Sequence, residues 1–217
     1  MANTSRLPVY GAILLLVSLP LWCGALATTK PMKTVSPRHL NSLIVSQKDL
    51  PAGAALEQLD IGIYKVKLGL LEFAPTKSSY DARWSCPLAV PGKKKKTAKL
   101  HIDIQLAILD SAKQAQDVVY RTVHSYAEVA PEVTGHPRMR SFADRVWYGD
   151  NSYGHARPTS AGVRFARANV AVDIHVSSGD GVDKETLFKI ADKVGRRIDA
   201  ALAGKPCPLP ILPRPAR

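Results

Sequence analysis

Apolar and polar residues alternate most regularly at Leu100, Ile102, Ile104, Leu106 and Ile108, which are interleaved with Lys99, His101, Asp103, Gln105 and Ala107. That period of two predicts a strand with one buried face. Asp110 or Ser111 then caps a helix whose Ala112, Ala115, Val118, Val119, Thr122, Val123 and Tyr126 recur at helical spacing, ending near Ala130-Pro131. Pro131, Gly135 and Pro137 mark the loop beyond it. The arrangement returns later in the chain. Val163 and Phe165 give one strand, Ala168-Asn169 a turn, and Val170, Val172, Ile174 and Val176 a second strand alternating with Ala171, Asp173 and His175. After Gly179-Asp180-Gly181, Asp183 caps a long helix with Leu187, Ile190, Ala191, Val194, Ile198, Ala201 and Leu202 on one face, and Gly204 and Pro206 stop it. Ahead of these modules, Leu43-Ile44-Val45 is an apolar piece closed by a turn at 49–53. Leu59, Ile61, Ile63 and the stretch 66–71 predict one or two strands, and 74–92, with three prolines, reads as irregular.

These elements predict an α+β domain with a mostly antiparallel sheet and two main helices packed on one face, in a ββα quasi-repeat. The domain is expected over 40–204. Residues 28–39, with Pro31 and Pro37 and no periodicity, read as a disordered spacer, and 205–217, with five prolines, as an extended tail. Residues 1–27 read as an export signal: Arg6 precedes an apolar run from Leu7 to Leu21, and Ala25-Leu26-Ala27 offers small residues for cleavage after Ala27. The run is nearly long enough to anchor in a bilayer, but Pro8, Gly11 and Pro20 interrupt it, and Trp22 before Cys23 argues against lipid attachment. The expected location is secreted or periplasmic.

The stretches 147–150 and 163–172 and the helix from Leu187 to Leu202 resemble the second half of secreted bacterial α/β sandwich domains of the PsbP-like and kinase-sensor type. The turn residue before Asn169 is commonly glycine there and is Ala168 here. The resemblance implies a binding or sensor-like module outside the membrane, with no catalytic residues to carry over.

About 190 residues without the leader suffice for one domain with a real core. The formal charge is +12, and loss of Arg6 with the leader lowers it by one. Such a surface attracts anionic lipid, acidic glycans or nucleic acid, and export makes the first two the accessible ones. Lys93, Lys94, Lys95, Lys96 and Lys99 concentrate that charge. They read as an anion-docking patch or as a solubilising loop. Nucleic acid is disfavoured, since aromatic residues make up 6% of the chain and are not interleaved with the basic ones. Cys86 and Cys207 remain after the leader, an even pair for an oxidising compartment. A bridge between them closes a loop worth about 4 to 5 kcal/mol at most, against the alternative of two separately buried thiols.

His101 and Asp103, and Asp173 and His175, lie two apart within their strands, so each pair projects from the polar face. Adjacent strands would gather imidazoles and carboxylates suited to a divalent metal, or simply a solvated face with His–Asp cross-strand pairs. Trp147, Tyr148, Asp150, Tyr153, His155 and Arg157 cluster around Gly149 in what reads as a loop. They form a candidate ligand pocket or, in the plainer reading, the cap of a core. Nucleophile elbow, zinc-protease and phosphate-loop motifs do not occur, so the first reading is an exported, non-enzymatic domain that binds a ligand or protein partner at an anionic envelope surface, without a cofactor. The alternatives are a metal-binding protein or metal-dependent enzyme using the His/Asp cluster, and a structural envelope protein.

Overall fold

The structure is a computed structural model. It describes residues 34–62, 65–68, 71–75, 78–89, 97–125, 146–150 and 158–205. Among the described residues eight strands run in chain order: β1 (Ala55–Gly62), β2 (Lys65–Leu68), β3 (Leu71–Pro75), β4 (Ser78–Ala89), β5 (Thr97–Ile108), β6 (Val146–Asp150), β7 (Ser160–Arg167) and β8 (Val170–Ser177). The helices are α1 (Leu40–Leu43), α2 (Ala112–Ser125) and α3 (Lys184–Leu202). Strands β1-β4-β5-β8-β7-β6 make one sheet, every pairing antiparallel, while β2 and β3 form a separate ribbon. The α+β class and the antiparallel sheet follow the pattern in the sequence.

On one face Ile102, Ile104 and Leu106 of β5 join Val172 and Ile174 of β8, Val163 and Phe165 of β7, and Tyr80 and Trp84 of β4. Helix α3 covers them with Leu187, Ile190, Ala191, Val194 and Ile198. Asp183 caps α3 as its position predicts, accepting from the Glu185 amide at 3.0 Å, and Gly204 leaves the helix at φ +68°. Ser111 caps α2 by accepting from the Gln114 amide at 3.2 Å.

The two main helices do not share a face. Ala115, Val118 and Val119 of α2 pack with Ala107, Ala166, Ala171 and Trp147, the residues that alternate with the main core positions on their strands. Three alanines side by side lower that end of the opposite face enough for a helix to seat on it. The consequence for the quasi-repeat is geometric. The rotation that lays one antiparallel hairpin on its neighbour runs along the sheet normal and leaves each helix on its original face. Helices on opposite faces are therefore not related by it, although the ββα order recurs.

Two other segments differ from expectation. The stretch 74–92 contains a regular twelve-residue strand, β4, whose Tyr80, Ala82, Trp84 and Cys86 alternate into the core. Pro87 is tolerated because the β1 ladder ends at Ser85, which leaves β4 an edge beyond that point. Buried contacts also start before Leu40. Val35 is 2% exposed, and the Asn169 side chain holds it as a strand would: Oδ1 accepts from the Val35 amide at 2.7 Å and Nδ2 donates to its carbonyl at 3.0 Å. The same Nδ2 donates to the Leu109 carbonyl at 2.8 Å. The N-terminal segment is further tied to α3 by Arg197, which bonds the Ile44 carbonyl and the Asp49 carboxylate.

Candidate functional site

Among the described residues α2 covers one end of the second face, and on the remainder Arg83, Lys99, His101 and His175 are partly exposed while Ser85 and Gly162 are buried. Cross-strand register sets its rows. One row runs Asp81, Gln105, Asp173, Arg164 and Trp147 across β4, β5, β8, β7 and β6. The next runs Arg83, Asp103, His175, Gly162 and Gly149, and a third runs Ser85, His101, Ser177 and Ser160. At the β1 edge a bulge between Leu56 and Gln58 brings Glu57 to Lys99 at 2.5 Å and to within 3.6 Å of His101 Nδ1.

The four residues of the expected metal cluster share this face. They do not form a ligand set. Asp103 is held by Arg83 Nε at 2.7 Å and Asp173 by Arg164 Nε at 2.9 Å, while His101 turns toward Glu57. His175 Nδ1 stands 4.0 Å from Asp103 Oδ2. Among the described residues no group of three or more His, Cys, Asp or Glu is placed to hold a metal ion. The physical reason is that an arginine stands directly across the ladder from each of the two aspartates, which commits Asp103 to Arg83 and Asp173 to Arg164.

Electrostatically the face falls into two parts. Toward β1 and β4 carboxylates are in excess, and burial with the nearby Asp103 and Asp60 raises the Asp81 pKa. The Lys99 ammonium lowers that of Glu57. Toward β7 and β8 charges cancel. Burial raises the Asp173 pKa despite Arg164, and partial burial of the 40% exposed His175 lowers that of its imidazole.

The expected loop cluster is split by the sheet. Residues 146–150 are the edge strand β6, so Trp147 faces the polar side and Tyr148 and Asp150 the core side. There the Tyr148 hydroxyl donates to Asp150 at 2.7 Å, Lys184 bonds the same carboxylate at 2.7 Å, and the Tyr148 ring meets Phe188 at 5.5 Å. Burial raises the Tyr148 pKa to about 12. This trio fastens β6 to α3. Tyr153, His155 and Arg157 lie outside the described residues, as do Lys93, Lys94, Lys95 and Lys96. Cys86, expected to bridge to Cys207, is a free thiol in the core whose pKa burial pushes up to about 11, and Cys207 lies outside the described residues. The sequence reading passed over Arg83 and Arg164, the cations that organise the face. Arg164 stands between Val163 and Phe165 at a polar strand position, whereas Arg83 lies in the stretch that reads as irregular.

Among the described residues no helix is long and apolar enough to cross a membrane. No family model matches the chain, and no curated protein does. The fold is similar to that in the crystal structure of the extracellular domain of PknH from Mycobacterium tuberculosis, with a TM-score of 0.50 and 10% identity, over 76% of this chain and 98% of that one. At that identity the likeness speaks for the fold alone. It gives the kinase-sensor side of the resemblance a structural counterpart and extends it beyond the C-terminal half.

Proposed function

We propose that the chain is an exported, non-enzymatic binding domain, cleaved after Ala27, that meets its ligand or partner through the polar face of the sheet at an anionic envelope surface. The observation that carries this reading is the array of charged side chains held in cross-strand pairs on the face that α3 does not cover, with Arg83, Lys99, His101 and His175 partly exposed. Side chains fixed by cross-strand ion pairs are pre-organised for recognition, which reduces the entropy lost on binding. The extracellular origin of the structural neighbour supports the compartment, as does the leader pattern. Basic and acidic residues are nearly balanced among the described residues. Most of the +12 excess therefore falls in other segments, the run Lys93 to Lys96 among them, which supports contact with anionic surface separately from recognition by the face.

Hydrogen exchange of the protein with and without isolated envelope material from its host tests the reading. Protection is expected at β5, β8 and β7 amides, and weaker association at high salt. Absence of protection on these strands would reject the polar face as the contact surface. Intact mass of the exported protein tests cleavage after Ala27.

A further inference from the structure

Charged side chains of the polar face stand at two depths. Lys99, Arg83, His175 and His101 have side chains 58%, 52%, 40% and 39% exposed, whereas Glu57 and Asp103, the carboxylates they face, are 29% and 27% exposed. A molecule approaching this part of the sheet meets the basic groups first. Cross-strand register gathers the four. Lys99 and His101 are two apart on β5, and Arg83 on β4 and His175 on β8 flank Asp103 directly across the ladder on either side.

Both carboxylates are shared in the same way. Lys99 holds Glu57 Oε1 at 2.5 Å while His101 Nδ1 stands 3.6 Å from Oε2, and Arg83 holds Asp103 Oδ1 at 2.7 Å while His175 Nδ1 stands 4.0 Å from Oδ2. Each unit of acid, fixed cation and imidazole is therefore neutral until the imidazole gains a proton, and positive afterwards. Histidine makes that change between about pH 5 and 8. Around His175 the other charged groups are Asp173 on its own strand and Arg164 on β7, which pair with each other. His101 has Lys99 and Asp103 on its own strand, with Ser85 and Ser177 opposite. Asp60 and Asp81 face each other across β1 and β4. Among the described residues, β1, β4 and β5 thus carry Glu57, Asp60, Asp81 and Asp103 on this face against Arg83 and Lys99, an excess of two carboxylates that two protonated imidazoles cancel.

We propose that Arg83, Lys99, His101 and His175 form an acid-switched contact for the anionic phospholipid surface of a membrane. With the imidazoles neutral, the carboxylate excess opposes such a surface. With both protonated the excess is gone, and four cations line the outside of the face. Ammonium, guanidinium and imidazolium N–H groups all donate to phosphate oxygens. The four stand on three neighbouring strands, with Arg83 and His175 about 10 Å apart at two strand spacings, a spread that suits an array of headgroups rather than one small anion. Partial burial lowers the His175 pKa from 6.5, which puts its step on the acid side.

This inference rests on the polar face being the contact surface, and its test separates the two. The exported protein is titrated at constant salt with phosphatidylcholine vesicles containing one-third phosphatidylglycerol, at about pH 7.5 and about pH 5.5, on either side of the imidazole range. Lysines keep their charge throughout, so contact through Lys93 to Lys96 contributes equally at both. Binding is expected to tighten about tenfold in acid. A variant carrying both His101→Asn and His175→Asn should lose that gain. Asp103→Asn should tighten binding at the higher pH, because it removes an inner carboxylate without adding a proton. Wild-type binding that ignores pH overturns the switch, as does a gain that survives in the double variant or an Asp103→Asn protein that binds like the wild type. Vesicles left unbound in acid while a soluble polyuronate binds would overturn the membrane as the occupant. Hydrogen exchange separates the two levels. Protection of β5 and β8 by vesicles to the same extent at both pH values keeps the face and removes only the switch, whereas vesicle binding without protection of these strands removes both.

Discussion

The two faces of this sheet are made by the same strands and obey opposite rules. On the α3 face, Ile104, Ile174, Val163 and Phe165 are fully buried against a helix, and each position is chosen for volume. On the other face the alternate residues of those strands are charged, partly exposed and paired in rows, with a helix only where alanines make room. Burial makes the first face expensive to alter. Pairing of partly exposed charges such as Arg83 and Asp103 makes the second cheaper to alter for stability, except at the more buried Arg164–Asp173 pair. Stability and the proposed recognition are thus separated by one residue along each strand.

The strongest way to break this comparison is to change neighbours on β8. Ile174→Ala removes a fully buried branched side chain and should cost about 3 to 4 kcal/mol, whereas His175→Ala, at a side chain 40% exposed, should stay within about 0.5 kcal/mol. Denaturant midpoints for both variants measure the contrast. Equal losses would mean that the polar face also carries the fold.

Asn169→Ala comes next, because Asn169 joins elements rather than filling a face. Its loss leaves the Val35 amide, the Val35 carbonyl and the Leu109 carbonyl without partners in a buried site. A cost of about 2 to 3 kcal/mol is expected, with faster hydrogen exchange at Val35. A loss below about 0.5 kcal/mol would show that the N-terminal segment is held by its apolar contacts alone.

Much of this division was legible in the sequence, and the gaps have physical causes. The period of two in Leu100 to Ile108 and in Val170 to Val176 gave both faces of the central strands, including the sharing of one face by His101, Asp103, Asp173 and His175. The caps at Ser111 and Asp183 and the stop at Gly204 rest on local chemistry and were readable for that reason. Strand β4 was hidden by Pro87, since a proline reads as a breaker unless the end of the neighbouring β1 ladder is known. The opposite placement of α2 was hidden because an alanine at a polar-face position signals neither burial nor exposure. Pairing of the aspartates with Arg83 and Arg164 depends on strand order, which periodicity does not contain. Asn169 read as a turn residue, and its reach to Val35, far away in sequence, left no local trace.

A smaller effect sharpens the same hairpin. Ala168 occupies φ +49°, the left-handed region where a Cβ costs roughly 1 kcal/mol, at the position where the resembling domains carry glycine. Ala168→Gly relieves that strain, and the greater freedom of glycine in the unfolded chain offsets part of the gain. A net stabilisation of about 0.5 kcal/mol is expected in thermal unfolding. A net loss would mean that the turn accommodates alanine without strain.

The smallest effect is the response to pH, and it distinguishes the polar face from the core because only the polar face carries these groups. Asp81 and Asp173 have raised pKa values, so the folded state holds their protons more tightly than the unfolded state, whose ordinary value is 3.8. Their contribution is present below that value and is lost as pH rises through the folded-state values. His175 works in the other direction. Its pKa is lowered from 6.5, so its contribution is full above 6.5 and declines as pH falls through the window beneath it. His175→Asn, which retains a neutral polar group, should flatten the loss of stability on acidification just below 6.5 while leaving the carboxylate-driven rise at lower pH intact. Denaturant midpoints taken across this range decide the matter. An unchanged profile in the variant would show that His175 titrates as it does in water.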